Sequence, residues 1–111
     1  MLRKFAALAG AILVCGLIVA DVATASVPKV VIAEDFTATW CTYCPAANCA
    51  LQTMETEFGD QFIFWENHCS SSDPFTTAET TAREHWYSVP GYPTVVIDGK
   101  YQVIGAGSCE S

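Results

Sequence analysis

Residues 35–44 read DFTATWCTYC and end in two cysteines, Cys41 and Cys44, with two residues between them. This C-x-x-C spacing occurs in redox dithiols, in halves of zinc sites and in small structural disulfides. The spacing alone does not choose among the three. The segments before and after the pair have to decide which chemistry applies.

The cysteine pair lies between a predicted strand and a predicted helix. Residues 29–36 (KVVIAEDF) are rich in β-branched apolar side chains, which favour a buried strand. After the pair, apolar side chains recur every three or four residues, which places them on one face of a helix. They are Ala47, Leu51, Met54 and Phe58. Gly59 stands where the C-terminal cap of that helix belongs.

The second half of the chain predicts a strand, a helix and a hairpin. Residues 61–68 are typical of a strand, and Thr76 with Glu79 fits a capping box that opens a helix to about residue 87. The segment 89–93 breaks that helix with two prolines and a glycine. Two short strands follow.

Those strands are residues 94–97 and 101–104, and the Asp98-Gly99 pair predicts a two-residue type I′ turn between them. The element order is therefore β-α-β-α-β-β. Its first half forms a parallel βαβ unit and its second half an antiparallel hairpin, so we expect an α/β fold with a mixed sheet.

The N-terminus has the pattern of a secretory signal peptide. A basic start at residues 1–4 precedes an apolar run at 5–20, and Ala23 and Ala25 supply small residues for cleavage. We expect a signal peptide at 1–25, a mature domain at 26–111, and a secreted or periplasmic location without a membrane span. The alternatives are an uncleaved membrane anchor and a lipoprotein attached at Cys15, although bulky Val14 precedes that cysteine.

Charge narrows the class of partner. The sequence has 12 acidic and 5 basic residues, a net charge of −7. Nucleic-acid binding needs clusters of Lys and Arg, so the composition excludes nucleic acid as a partner and disfavours anionic membranes. Export, in turn, places the cysteines where disulfides persist.

The position of the cysteine pair suits disulfide exchange. Cys41 is expected at a helix N-terminus, where the dipole and free N–H groups favour a thiolate. Cys44 follows about one turn later, so we expect an exposed attacking thiol and a more shielded resolving thiol. Neither position requires a metal or another cofactor.

These residues carry a resemblance to a known family. The segment from Asp35 to Cys44, the element order, and Tyr92-Pro93-Thr94 before the third strand together resemble the thioredoxin superfamily, especially its secreted or envelope bacterial members. The resemblance covers roughly residues 29–107. It implies a thioredoxin-like sheet with strand order 2-1-3-4.

The resemblance also implies roles for individual residues. Cys41 would be the nucleophile, Cys44 the resolving thiol, and Asp35 a buried acid that takes the proton of Cys44. Pro93 would be a cis-proline facing the dithiol. Trp40, Tyr43 and Tyr92 would form the surface that contacts the substrate.

The implied activity is thiol–disulfide exchange on protein substrates. The redox-active Cys41–Cys44 disulfide would be the only redox group, reset by an unidentified electron donor or acceptor. Thr42 and Tyr43 replace the residues found in strong oxidants, so we expect a reductase or an isomerase. Pro45 follows directly, and we expect it to distort the start of the helix.

The sequence is also compatible with other functions. One is a non-catalytic secreted binding module with a locked disulfide. Another is a zinc site formed by Cys41, Cys44, His68 and Cys69, and a third is a copper-binding protein of the same fold. Insulin-reduction turnover separates these alternatives from the redox function.

Three further cysteines and the C-terminus complete the expectations. Cys49 and Cys69 are candidates for a structural disulfide, and we expect Cys109 to pair with a residue beyond 111. Residues 105–111 have no helical period, whereas the family fold closes with a helix. We therefore expect the domain to be truncated at its C-terminus.

Overall fold

The computed structural model describes residues 26–109, and within them the chain forms one four-stranded sheet and two helices. The strands are β1 (Val31–Thr37), β2 (Phe62–His68), β3 (Thr94–Ile97) and β4 (Tyr101–Ile104). The helices are α1 (Cys44–Phe58), followed by a 3-10 turn at Gly59–Gln61, and α2 (Ala78–Tyr87). The predicted signal peptide at 1–25 and the alternative anchor at Cys15 lie outside the described residues.

The sheet has the order β2-β1-β3-β4, which confirms the predicted topology and fold class. β1 and β2 are parallel, with Thr37 opposite His68, while β3 runs antiparallel to β1 and β4 antiparallel to β3. The C-terminal ends of β1 and β2 therefore lie next to the start of β3, at the edge of the sheet that is formed by these strand ends. The cysteine pair follows β1 at that edge.

The two faces of the sheet are covered by different helices. On one face Ala33 of β1 packs with Leu51 of α1 and with Phe62. On the other, Phe36 contacts the ring of Tyr87 from α2, with the ring centroids 5.9 Å apart. Side chains alternate along a strand, so Asp35 faces the α1 side. Among residues 26–109, no helix is long and apolar enough to cross a membrane.

The helix starts differ from the predicted ones by a few residues. α1 begins at Cys44, three residues after Cys41, whose backbone N–H donates to the Ala38 carbonyl in a turn at 3.0 Å. Pro45 lies in the first turn, where its missing N–H leaves no unmade hydrogen bond, so it fits a regular helix start.

The N-cap of α2 is Thr77, not Thr76. The Thr77 hydroxyl accepts from the Thr80 amide at 3.2 Å, and the Thr80 hydroxyl accepts from the Thr77 amide at 3.0 Å, which makes a reciprocal capping box. Thr76 is unavailable because its hydroxyl donates to the Ser70 carbonyl at 2.6 Å. The residue predicted as cap thus closes the preceding loop.

The β3–β4 hairpin has the turn residues that the sequence predicts. Asp98 and Gly99 have φ values of 52° and 66°, and the Lys100 amide donates to the Ile97 carbonyl at 3.0 Å. Since Ile97 pairs with Tyr101, the connection is three residues long and not two. The turn lies at the edge of the sheet opposite the cysteine pair.

After β4 the chain returns across α1. Gly105 has a φ of 79°, a left-handed conformation that favours glycine, and residues 105–108 line an apolar groove of about 300 Å³ beside α1. Cys109 is thereby brought to Cys49, and the two form a disulfide. The predicted Cys49–Cys69 pairing, and a partner for Cys109 beyond residue 111, were both wrong.

Candidate active site

Cys41 and Cys44 form a disulfide, with their Cα atoms 5.4 Å apart, between the end of β1 and the start of α1. Both residues are buried, with exposed fractions of 8% for Cys41 and 5% for Cys44. They pack with Ala38 and Tyr92. The predicted contrast between an exposed and a shielded thiol is therefore absent from the disulfide form, because Tyr92 packs against the cysteine cluster.

Asp35 lies on the sheet face that α1 covers. It is fully buried, and neither carboxylate oxygen has a hydrogen-bond partner. Its pKa is raised to about 7, mainly by burial and further by the nearby Glu66 carboxylate, while His68 acts in the opposite direction. A carboxyl group with a pKa near neutrality can both accept and release a proton at physiological pH.

A polar groove of about 270 Å³ runs beside the disulfide. Both cysteines line it, and so do Glu66 and His68, the last residues of β2 on that side. The amide of Asn48, on α1, donates to the Glu66 carboxylate. The residues that line the groove are Thr37, Ala38, Thr39, Cys41, Cys44, Pro45, Asn48, Glu66 and His68.

A buried carboxylate in the loop after β2 links that loop to the cysteine loop. Asp73 Oδ2 accepts from the Thr39 backbone N–H at 2.6 Å and lies 2.7 Å from His68 Nδ1. Asp73 Oδ1 accepts from the Phe75 N–H at 2.9 Å. Burial acts to raise the pKa of Asp73, but these hydrogen bonds outweigh it and hold the pKa at about 2.

Two aromatic residues border the cysteines. Trp40 is 58% exposed, and its indole N–H donates to the Ser70 hydroxyl at 3.0 Å. Its ring meets Tyr92 edge to face, with the centroids 6.0 Å apart. The Tyr92 hydroxyl donates to Glu84, so it is turned toward α2.

Pro93 and Tyr43 are the other two predicted site residues. The peptide bond between Tyr92 and Pro93 is cis. Tyr43 is 66% exposed at the N-terminal end of α1. Tyr43 directly precedes Cys44 in the chain, and Tyr92 packs against the cluster of Ala38, Cys41 and Cys44.

Cys69 lies on the opposite face of the sheet from the groove. It is a free, buried thiol that packs with Phe36 and donates to the carbonyls of Asn67 and Thr80, both at 3.3 Å. The four residues of the zinc alternative therefore do not converge. No cluster of three or more His, Cys, Asp or Glu residues suited to a metal occurs between residues 26 and 109.

Three functional candidates were not found from the sequence: Glu66, His68 in its present role, and Asp73. From the sequence, His68 was considered only as a possible zinc ligand, and Asp73 was given no role. The signal that could have found them is the parallel pairing itself, since residues that follow two neighbouring parallel strands meet at one edge of the sheet. An Asp five residues after a strand-end His was available as a partner.

Comparisons with known proteins bear on the fold. No protein-family model matches the chain, and no curated protein sequence matches it. Among solved structures, protein AGR_C_4864 of Agrobacterium tumefaciens is similar, with a TM-score of 0.57 and 22% identity over 70% of this chain. The match covers 40% of that protein, so this chain spans less than half of its length.

Two further structures are similar. One is described as a malarial protein, with a TM-score of 0.52 and 16% identity, covering 73% of this chain and 86% of the other. The second is the germline-specific thioredoxin Deadhead of Drosophila melanogaster, with a TM-score of 0.49 and 15% identity, covering 74% and 71%. At these identities the first two structures show a similar fold and nothing more. The TM-score for Deadhead is too low to support a conclusion about this chain.

The fold and the site together define a class. The four-stranded mixed sheet in the order 2-1-3-4 is consistent with a thioredoxin-like fold, and a C-x-x-C disulfide follows its first strand. That combination supports a redox role in general terms. The direction of the reaction and its substrates are matters of proposal.

Proposed function

We propose that the protein is an extracytoplasmic thiol–disulfide oxidoreductase that works in the reductase or isomerase direction. The observation that carries the proposal is the Cys41–Cys44 disulfide, which follows β1 directly. On that strand Asp35, buried and without a hydrogen-bond partner, faces the side covered by α1, the helix that begins at Cys44. A structural disulfide has no need of an adjacent titratable group.

The reaction proceeds in two exchanges. In the reduced protein, the Cys41 thiolate attacks a substrate disulfide, one substrate sulfur leaves as a thiolate, and a mixed disulfide forms. Cys44 then loses its proton to Asp35 and attacks the Cys41 sulfur. The second substrate sulfur leaves as a thiolate, and the two electrons of the dithiol have passed to the substrate.

The surface around the dithiol is suited to a polypeptide substrate. Trp40 and Tyr43 are both more than half exposed, and they directly precede Cys41 and Cys44 in the chain. Tyr92, which precedes Pro93, packs against the cysteine cluster. An extended substrate segment would lie against these residues while its disulfide reaches Cys41.

Turnover needs a partner that restores the dithiol. A second protein or small-molecule dithiol is the chemical class that can reduce Cys41–Cys44 by the same exchange. The proposed location outside the cytoplasm rests on the signal-peptide pattern of residues 1–25. The acidic composition is compatible with protein partners and unsuited to nucleic acid.

Insulin reduction with dithiothreitol as the electron donor tests this function. The wild-type protein should accelerate the reduction, whereas Cys41→Ser should give only the uncatalysed rate. Cys69→Ser is the matched control, because this thiol is buried on the opposite face of the sheet, and it should retain activity. Equal rates for wild type and Cys41→Ser would contradict the proposal.

A second candidate function is a binding module with a permanently closed disulfide. The burial of both cysteines favours it, since a sulfur with little exposure is slow to exchange. In that case the protein would not raise insulin reduction above the uncatalysed rate at any dithiothreitol concentration that leaves the fold intact. The Cys41→Ser variant would then bind the same partners as the wild type.

A further inference from the structure

We propose that Asp73 and His68 form a carboxylate–imidazole pair that controls the protonation of the Cys41 thiol in the reduced protein. The inference rests on the proposed function, because it assigns an acid–base group to the same dithiol. It adds a second proton carrier to Asp35, which serves Cys44. Asp73 was not expected in the site from the sequence, and His68 was considered there only as a zinc ligand.

The pair begins with a fixed negative charge. The Asp73 side chain is fully buried, and it accepts hydrogen bonds from the backbone N–H groups of Thr39 and Phe75. Backbone donors cannot move away, so they hold the carboxylate in its ionised form. A pKa of about 2 for Asp73 agrees with that geometry.

An ionised carboxylate fixes the tautomer of its histidine partner. Asp73 Oδ2 can only accept, so the His68 nitrogen at 2.7 Å from it, Nδ1, must donate. The second nitrogen, Nε2, is then the one that takes up or releases a proton. The ring of Phe75 lies edge to face against the imidazole, with the centroids 5.4 Å apart, and helps to fix its plane.

The imidazole faces the dithiol groove. His68 is the last residue of β2, opposite Thr37 of β1, and it lines the same groove as Cys41 and Cys44. Asp73 also binds the amide of Thr39, two residues before Cys41. The same carboxylate therefore positions both the imidazole and the cysteine loop.

No other positive charge is available at this edge within the described residues. Glu66 and Asp35 are acidic and oppose a neighbouring thiolate. Lys29 binds Asp98 at the far edge of the sheet, next to Lys100, and Arg83 binds Glu34 on the α2 face. An imidazolium at His68 is thus the cation that can stabilise a thiolate in this acidic groove.

The proton step balances without a further reactant. In the reduced protein, the proton of the Cys41 thiol moves to His68 Nε2 and leaves a thiolate–imidazolium pair. After the thiolate attacks the substrate disulfide, the leaving substrate thiolate takes the proton from Nε2. No electron passes through the histidine, and Asp73 stays ionised throughout.

Alkylation of Cys41 tests the proposal independently of turnover. In a reduced Cys44→Ser background, iodoacetamide modification of Cys41 is followed from pH 5 to 10 by mass spectrometry of the peptide. His68→Gln should move the midpoint of this profile upward by about one pH unit. Asp73→Asn should move it in the same direction by a smaller amount, since the imidazole remains.

His85→Gln is the matched control, because His85 is the only other histidine of the sequence and is exposed on α2. It should leave the midpoint unchanged. Identical midpoints for His68→Gln, His85→Gln and the Cys44→Ser parent would overturn the proposal. Circular dichroism identifies a misfolded Asp73→Asn protein, in which case the His68→Gln result decides alone.

The outcome is separable from that of the proposed function. A shifted Cys41 profile in a protein that never reduces insulin would contradict the oxidoreductase function and leave the Asp73–His68 pair standing. Normal insulin reduction by a His68→Gln protein with an unshifted profile would contradict the pair alone.

Discussion

Asp35 on β1 lies directly opposite Glu66 on β2 in the parallel register, and the Asp35 carboxyl is buried without a hydrogen-bond partner. A second carboxylate on the neighbouring strand adds to the effect of burial, and both favour the protonated form of Asp35. The protein therefore holds an unfavourable charge in its interior once the pH passes neutrality. This arrangement lowers the stability of the folded protein above neutral pH, and it suits the Asp35 carboxyl to proton transfer.

Asp35→Asn should make the protein more stable than the wild type at pH 8. The folded-state pKa of about 7 exceeds the ordinary value of 3.8, so the folded protein binds this proton more tightly than the unfolded chain does. The associated stability is complete below pH 3.8 and is lost as the pH rises through about 7. At about 1.4 kcal/mol per pKa unit, the gain at pH 8 is at most about 4 kcal/mol.

Urea unfolding of the wild type and of Asp35→Asn gives their free energies of unfolding at pH 4 and pH 8. The gain is the change, between the two pH values, in the difference between the two proteins. Asp98→Asn is a control of opposite sign, because Lys29 and the Ile32 amide lower the pKa of Asp98. That variant should lose stability at pH 8. An Asp35→Asn protein less stable than the wild type at pH 8 would contradict the assignment.

Cys109→Ser should destabilise the protein by removing the Cys49–Cys109 disulfide. A sequence separation of 60 residues corresponds to about 4 kcal/mol in the loop-entropy description. Thermal unfolding of the oxidised proteins measures the loss. Cys49→Ser should give the same loss and the double variant no more, whereas peptide mapping that finds Cys49 bound to Cys69 would refute the pairing.

Cys69 should resist alkylation in the folded protein. Burial, with a smaller effect from Glu84, raises the pKa of its thiol to about 11, so very little thiolate exists at pH 8. Iodoacetamide should modify Cys69 about 100-fold more slowly in native protein than in urea, as judged by peptide mass. Fast stoichiometric labelling of the oxidised native protein would show that this thiol is accessible.

Arg83→Met should cost more than an ordinary surface substitution. Arg83 binds both carboxylate oxygens of Glu34, whose side chain is only 3% exposed, and Tyr87 donates to the same carboxylate at 2.9 Å. Losing the partner of a buried charge costs about 3 to 5 kcal/mol, and we expect about 2 kcal/mol here because Arg83 is 46% exposed.

Chemical denaturation compares Arg83→Met with Lys100→Met, an exposed control in the hairpin. The double variant Glu34→Gln with Arg83→Met should recover much of the lost stability, since it leaves no buried charge. Equal stability of the two single variants would argue against a structural role for the Glu34–Arg83 pair.

The sequence was sufficient for the fold wherever short-range chemistry decides the outcome. Apolar periodicity predicted α1, and the turn preference of Asp98-Gly99 predicted the hairpin. The cap of α2 moved by one residue because Thr76 is occupied by Ser70, a contact that depends on the path of the loop. The Cys49–Cys109 bond depends on the direction of the chain after Gly105, where one backbone conformation decides which helix the tail meets.

The sequence predicted the site residues that are close together in the chain and missed those that are far apart in it. Cys41, Cys44 and Asp35 lie within ten residues of one another, and their motif is visible in the sequence. Asp73 reaches the cysteine loop only through the Thr39 amide, 34 residues earlier in the chain. A contact of that kind depends on strand pairing, so it can be predicted once the register of β1 and β2 is known.

The reduction potential of the Cys41–Cys44 pair tests the central claim most directly. The oxidised protein is equilibrated with glutathione or dithiothreitol buffers, and the dithiol fraction is quantified by alkylation and mass. A reductase or isomerase should give a value between about −270 and −180 mV. A value below about −300 mV would mark a structural disulfide, and one near −120 mV a strong oxidant, and either would contradict the account.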